Sequence, residues 1–103
     1  MTVFGLLRVT PVTTEDITED VAAAIDALES HDVTSETTPM ATIIEAEDIH
    51  ELFAACAAAH EAVSTDEIQT LVQVEENRAV EMTGADKMDA VEGELGREAR
   101  SDE

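Results

Sequence analysis

The sequence predicts an α+β sandwich in the ferredoxin-like order β-α-β-β-α-β, with two helices on one face of a four-stranded antiparallel sheet and a further helix at the C-terminus. Three observations carry this. Strand-like segments open and close the pattern, and two segments of helical period lie between them. The two central strand segments are joined by a connection so short that it implies a hairpin. At 103 residues the chain suits one domain with a modest core. We assign that domain to residues 1–96 and expect 97–103 to form a flexible acidic tail.

The first segment, Thr2 to Thr10, is dense in β-branched and apolar residues and is expected to stop as a strand at Pro11. Asp16 is placed as an N-cap with Glu19 three positions on, and Ile17, Val21, Ile25 and Leu28 give the first helix its packing stripe. That helix should end at Ser30 to Asp32. Val33 to Thr38 reads as the second strand, Pro39 to Ala41 as a turn, and Thr42 to Glu45 as the third. The second helix carries Ile49, Leu52, Phe53, Cys56, His60 and Val63 on one stripe, with Glu47 and Asp48 near the positive end of its dipole. Glu67 to Glu75 alternates Ile68, Thr70, Val72 and Val74 against Gln69, Leu71, Gln73 and Glu75, as a half-buried strand does. Met88, Val91 and Leu95 suggest the last helix, although Gly93 and Gly96 lower its propensity. This arrangement leaves the second face of the sheet bare. On the third strand both Ile43 and Ile44 are apolar, so the uncovered face should be closed by another copy of the chain.

Charge sets limits on partners. Acidic residues number 25 and basic ones 5, a formal net charge of -20. Such a field repels phosphate backbones and anionic headgroups, which argues against nucleic acid and membrane surfaces as partners. The apolar residues fall in periodic patterns, so the acids read as the outside of a folded domain and not as a signature of disorder. A single lysine among so many acids matches proteins of salt-accumulating halophiles. Cys56 is alone, which precludes an internal disulfide and suits a reducing cytoplasm. The apolar run at the start is too short for a signal peptide.

Candidate chemistry is sparse. The sequence has no glycine-rich phosphate loop, no nucleophile elbow and no zinc motif, so neither a metal nor a cofactor is called for. Cys56 and His60 lie one helical turn apart, a spacing open to a thiolate and base or to two metal ligands, but both fall on the core stripe of their helix. Arg78 follows the last strand and offers a fork for a carboxylate or an anionic ligand, with an ion pair to Glu75 or Glu76 as the plainer alternative. Glu45 ends an apolar strand and is the best single acid, although a carboxylate just ahead of a helix also has an explanation in the dipole. Strict alternation points Thr42 and Glu45 to opposite faces unless a bulge re-aims Glu45.

The run Pro39, Met40, Ala41, Thr42, Ile43, Ile44, Glu45, Ala46 ahead of an amphipathic helix resembles the small thiamine-binding proteins of the YkoF-like type. Supporting matches are the strand ending in Pro11, "HEAV" from His60 to Val63, Arg78, and "DKMDAVEGEL" from Asp86 to Leu95. The chain departs from that pattern at Ser64 to Glu67, at Asn77, and at Ser35, where the family commonly has an aromatic. The resemblance implies dimers pairing into a tetramer and a thiamine-type ligand held near subunit contacts without turnover. Met40 would supply an apolar wall, Thr42 a hydroxyl, Glu45 an acceptor for the aminopyrimidine, and Arg78 a further polar contact. The expected function is cytoplasmic, non-catalytic binding of thiamine or its hydroxymethylpyrimidine part by a homo-oligomer. The alternatives are a small ferredoxin-like isomerase or lyase using Cys56 and His60, and a regulatory or structural oligomer without a small ligand.

Overall fold

The computed structural model describes residues 2–99. The elements are β1 (Val3–Pro11), α1 (Thr18–Glu29), β2 (Thr34–Thr37), β3 (Thr42–Ala46), α2 (Ile49–Glu61), β4 (Ile68–Glu76) and α3 (Gly84–Leu95). The four strands form one antiparallel sheet in the order β2-β3-β1-β4. This is the ferredoxin-like arrangement, and it follows from the hydrophobic period of each segment. The acidic tail expected at 97–103 lies outside the described residues from position 100 onward.

Alternation divides the sheet cleanly. Val3, Gly5 and Leu7 of β1 and Thr42, Ile44 and Ala46 of β3 are buried toward α1 and α2. Helix α2 places Leu52, Ala55, Cys56 and Ala59 on this layer, and α1 adds Ala24 and Leu28. The alanine-rich stripe lets α2 lie close to the strands. Leu52 is fully buried directly over Gly5, where an added Cβ would come to 2.7 Å from Leu52 Cδ1. Gly5→Ala should therefore destabilise the fold by about 1–3 kcal/mol through overpacking, outweighing the smaller gain from a stiffer unfolded chain. A urea midpoint equal to wild type would contradict this.

Some local expectations hold and others are corrected. Pro11 ends β1 as expected and is itself its last residue, buried opposite Ile68. It is tolerated there because a strand end needs no further ladder bond from that position. The N-cap of α1 is Ile17, and Asp16 instead accepts from the backbone N–H and hydroxyl of Thr18 just ahead of it. Those hydrogen bonds hold the Asp16 carboxyl below the usual range. Phe53 is 49% exposed and His60 is also exposed, so neither belongs to the core stripe of α2. Four-residue and three-residue spacings drift around a straight helix, and the buried face settled on Leu52, Ala55, Cys56 and Ala59.

The second face of the sheet is not bare. Helix α3 starts with a capping box, in which Thr83 Oγ1 accepts from Asp86 N–H while Asp86 accepts from Thr83 N–H, and it ends at Gly96 with φ 73°. Gly96 thus supplies the left-handed stop that a side chain would disfavour. The start of the helix, from Gly84 to Met88, meets the open face at the end carrying Phe4 and Glu45. It buries none of its own residues, and Val91 and Leu95 stay about half exposed. On the same face Leu71 leaves apolar surface uncovered.

Candidate binding cleft on the open sheet face

The register builds the site. On the open face Phe4 lies opposite Glu45 on one side and Glu75 on the other, and Leu6 lies between Ile43 and Gln73. Helix α3 stands over these residues and turns the sheet face into a cleft of about 600 Å³, floored by Phe4, Leu6 and Ile43 and walled by Met88. Its polar groups are three carboxylates, Glu36, Glu45 and Glu75, together with Gln73, Thr38 and one ammonium, Lys87. An apolar lining with a few convergent polar groups is the usual make-up of a small-molecule site. The excess of carboxylates favours a cationic ligand.

Glu45 is half-buried and its Oε1 accepts from Gly84 N–H at 2.8 Å, at the first residue of α3. The Glu45 carboxylate lies so close to Gly84 that a Cβ there would displace it from its present position. Lys87 Nζ is 3.2 Å from Glu75 Oε1 and sits 4.0 Å above the centre of the Phe4 ring. Phe4 is thus the aromatic of the open face, whereas Ser35, paired with the buried Ile44, lies on the other side of the sheet.

The four residues singled out from the sequence do not meet within one chain. Thr42 faces the helices, buried, with its hydroxyl 3.2 Å from that of Thr37. Met40 is 73% exposed in the β2–β3 turn, where Thr38 Oγ1 accepts from its backbone N–H. Both line a separate hollow of about 290 Å³ between α1 and that turn. Arg78 projects into solvent and pairs with Glu76 at 3.3 Å, the plainer of its two readings. Only Glu45 reaches the cleft. No bulge interrupts the β1–β3 pairing, so alternation keeps Thr42 and Glu45 on opposite faces. Phe4, Lys87, Glu75 and Met88 were not singled out, because their proximity arises from cross-strand pairing and a helix docking 80 residues along the chain. The alternation of "TVFGLLR", which sets Phe4 and Leu6 on one face, was the one available signal.

Cys56 is buried in the core, and desolvation pushes its thiol above the ordinary value of 9.0. His60 turns outward instead, with Nδ1 in hydrogen-bond contact with Thr70 Oγ1 on β4. A protonated buried thiol is a poor nucleophile. Among the described residues no group of three or more His, Cys, Asp or Glu side chains could hold a metal ion. The sign of the Cys56 shift sets a pH dependence. The folded state retains this proton more strongly than the unfolded chain, so its contribution is present below about pH 9 and declines as pH rises beyond that. Reaction with a chromogenic disulfide at pH 8 should be more than about tenfold slower in the native protein than in urea. Equal rates would contradict the burial.

A family model for thiamine-binding proteins matches residues 6–92. The chain belongs to the thiamine-binding protein family. Within reach of the same family, a UPF0045 protein of Methanothermobacter thermautotrophicus is 37% identical over 78 residues, covering 73% of this chain and 79% of that one. Among solved structures, a hypothetical protein of Methanocaldococcus jannascii superposes with a TM-score of 0.80 at 25% identity, over 87% of this chain and 95% of the other. A candidate thiamine biosynthesis/salvage protein of Thermotoga maritima gives 0.75 at 15% identity, over 88% and 99%, a likeness of fold. The family match runs from Leu6 in β1 to Glu92 in α3, and so includes Glu45, Glu75 and Lys87 but not Phe4.

Proposed function

We propose that this member of the thiamine-binding protein family binds thiamine, or its hydroxymethylpyrimidine part, in the cleft under α3 and does not turn it over. The observation that carries the proposal is the half-buried Glu45 carboxylate at the end of an aromatic and aliphatic floor. An aminopyrimidine offers N–H donors to that acid, and the thiazolium charge suits a cleft with three carboxylates and one ammonium. The same excess of carboxylates disfavours phosphate esters. Thr42 and Met40 would serve the ligand only through the hollow on the other side of the sheet, and Arg78 only through a partner.

Leu71 on the open face, and Val80, Val91 and Leu95 further along the chain, are exposed apolar side chains of the kind a second copy would cover. The proposed active form is therefore a homo-oligomer, a dimer or tetramer, with the ligand near the subunit contact in a cytoplasm rich in salt. No helix among the described residues is long and apolar enough to cross a membrane. Light scattering in molar KCl should return at least twice the chain mass of 11.0 kDa, and a monomeric value would remove the subunit contact. Isothermal titration with thiamine in molar KCl tests the ligand. Binding should be lost, by about a hundredfold, in Glu45→Gln, where a charge-assisted acceptor is removed, and should survive Cys56→Ala. No heat from thiamine or the pyrimidine would defeat the proposal.

A further inference from the structure

The groups that a cationic aminopyrimidine would seek in the cleft are already engaged, and one helix engages them. Lys87 holds a positive charge over Phe4 and against Glu75, and Gly84 directs an N–H at Glu45 Oε1. These are the two kinds of contact the ligand itself would make: a cation on an aromatic face and an N–H donor to a carboxylate. The helix that supplies them has no buried residue of its own, so its hold on the sheet depends heavily on its first turn. Lys87 is the chain's one lysine.

We propose that α3 is a built-in occupant of the cleft and that Lys87 is a specificity-determining residue. The lysine stands in for the ligand's cation and Gly84 N–H for its amine, so the docked helix and the ligand compete for Phe4, Glu75 and Glu45. A ligand succeeds only if it returns both a positive charge and a hydrogen-bond donor. Thiamine does so and a neutral apolar ring does not. When the ligand enters, the first turn of α3 lifts from the sheet, and when it leaves, Lys87 neutralises Glu75 again. This inference rests on the binding proposed above.

The test is titration of thiamine in molar KCl into wild type, Lys87→Gln, Lys87→Arg and Arg97→Gln, together with hydrogen exchange of the α3 amides with and without ligand. Arg97 is exposed beyond α3 and controls for the loss of one positive charge. Lys87→Gln should bind about three- to tenfold tighter than Arg97→Gln, the range expected from removing one cation–π contact and one exposed ion pair. Lys87→Arg should stay within about twofold of wild type, and thiamine should speed exchange in α3. Weaker or unchanged binding by Lys87→Gln, or slower exchange in α3 on binding, overturns the competition while leaving the ligand in place. If neither wild type nor Lys87→Gln binds thiamine, the ligand proposal itself falls, and the competition with it.

Discussion

Transfer from molar KCl to dilute buffer should unfold or expand the protein, with loss of most of its helical circular dichroism. A formal charge of -20 sits on a body with a radius of gyration of 15.1 Å. At about 0.01 M salt the Debye length is roughly 30 Å, so acids on opposite sides of the molecule repel one another, whereas at 1 M it is about 3 Å and only neighbours interact. The core that must resist this repulsion is small. Of the buried apolar side chains, Ala24, Ala46, Ala55, Cys56 and Ala59 each contribute little area, leaving Val3, Leu7, Leu28, Ile44, Leu52 and Val63 to supply most of the hydrophobic term. Glu75 with Lys87, and Glu76 with the solvent-exposed Arg78, are surface pairs of the kind that contributes about 0–1 kcal/mol. A spectrum and thermal midpoint unchanged between dilute buffer and molar KCl would contradict this reading of the charge.

Leu52→Ala should cost about 3–5 kcal/mol, a large part of the stability expected of a domain this size. Leu52 is fully buried where α2 crosses β1, and the missing side chain at Gly5 is what allows it to sit so low. Truncation would leave a void that the rigid strand below cannot fill. The neighbouring Phe53→Ala, at a position 49% exposed, should cost less than about 1 kcal/mol although more atoms are removed. The two sites of the close contact should also couple. In a Leu52→Ala background the Gly5→Ala substitution loses its collision and should cost less than it does alone. Urea unfolding of the four variants measures all of this. Equal costs for Leu52→Ala and Phe53→Ala, or strict additivity with Gly5→Ala, would contradict the packing described.

Much of this fold is written in local period. The strands and both core helices follow from alternation and from the spacing of Ile17 through Leu28 and Ile49 through Val63, because each buries a face whose rhythm is visible in the chain. Phe53 and His60 escaped that rhythm, since which of several adjacent positions turns inward is decided by the partner surface, here Gly5 and the strands beside it. Docking of α3 was illegible for a different reason. Its polar hold comes from one backbone N–H to Glu45 and one ammonium at Glu75 and Phe4, and neither produces an apolar stripe. Glu45 was legible as a lone acid closing an apolar run. Its companions Phe4 and Glu75 are neighbours only through the antiparallel register, which no short window of sequence contains. Thr42 and Met40 share that run with Glu45 but face elsewhere, so adjacency in sequence misled where alternation did not.

The ligand is proposed to lie in the cleft under α3 and not in the hollow beside the β2–β3 turn, and methyl NMR during a thiamine titration in molar KCl distinguishes the two most directly. The Ile43 and Met88 methyl signals should move in proportion to occupancy while Met40 stays fixed. Shifts at Met40 with Ile43 and Met88 unmoved would place the ligand on the other side of the sheet and refute the role given to Glu45.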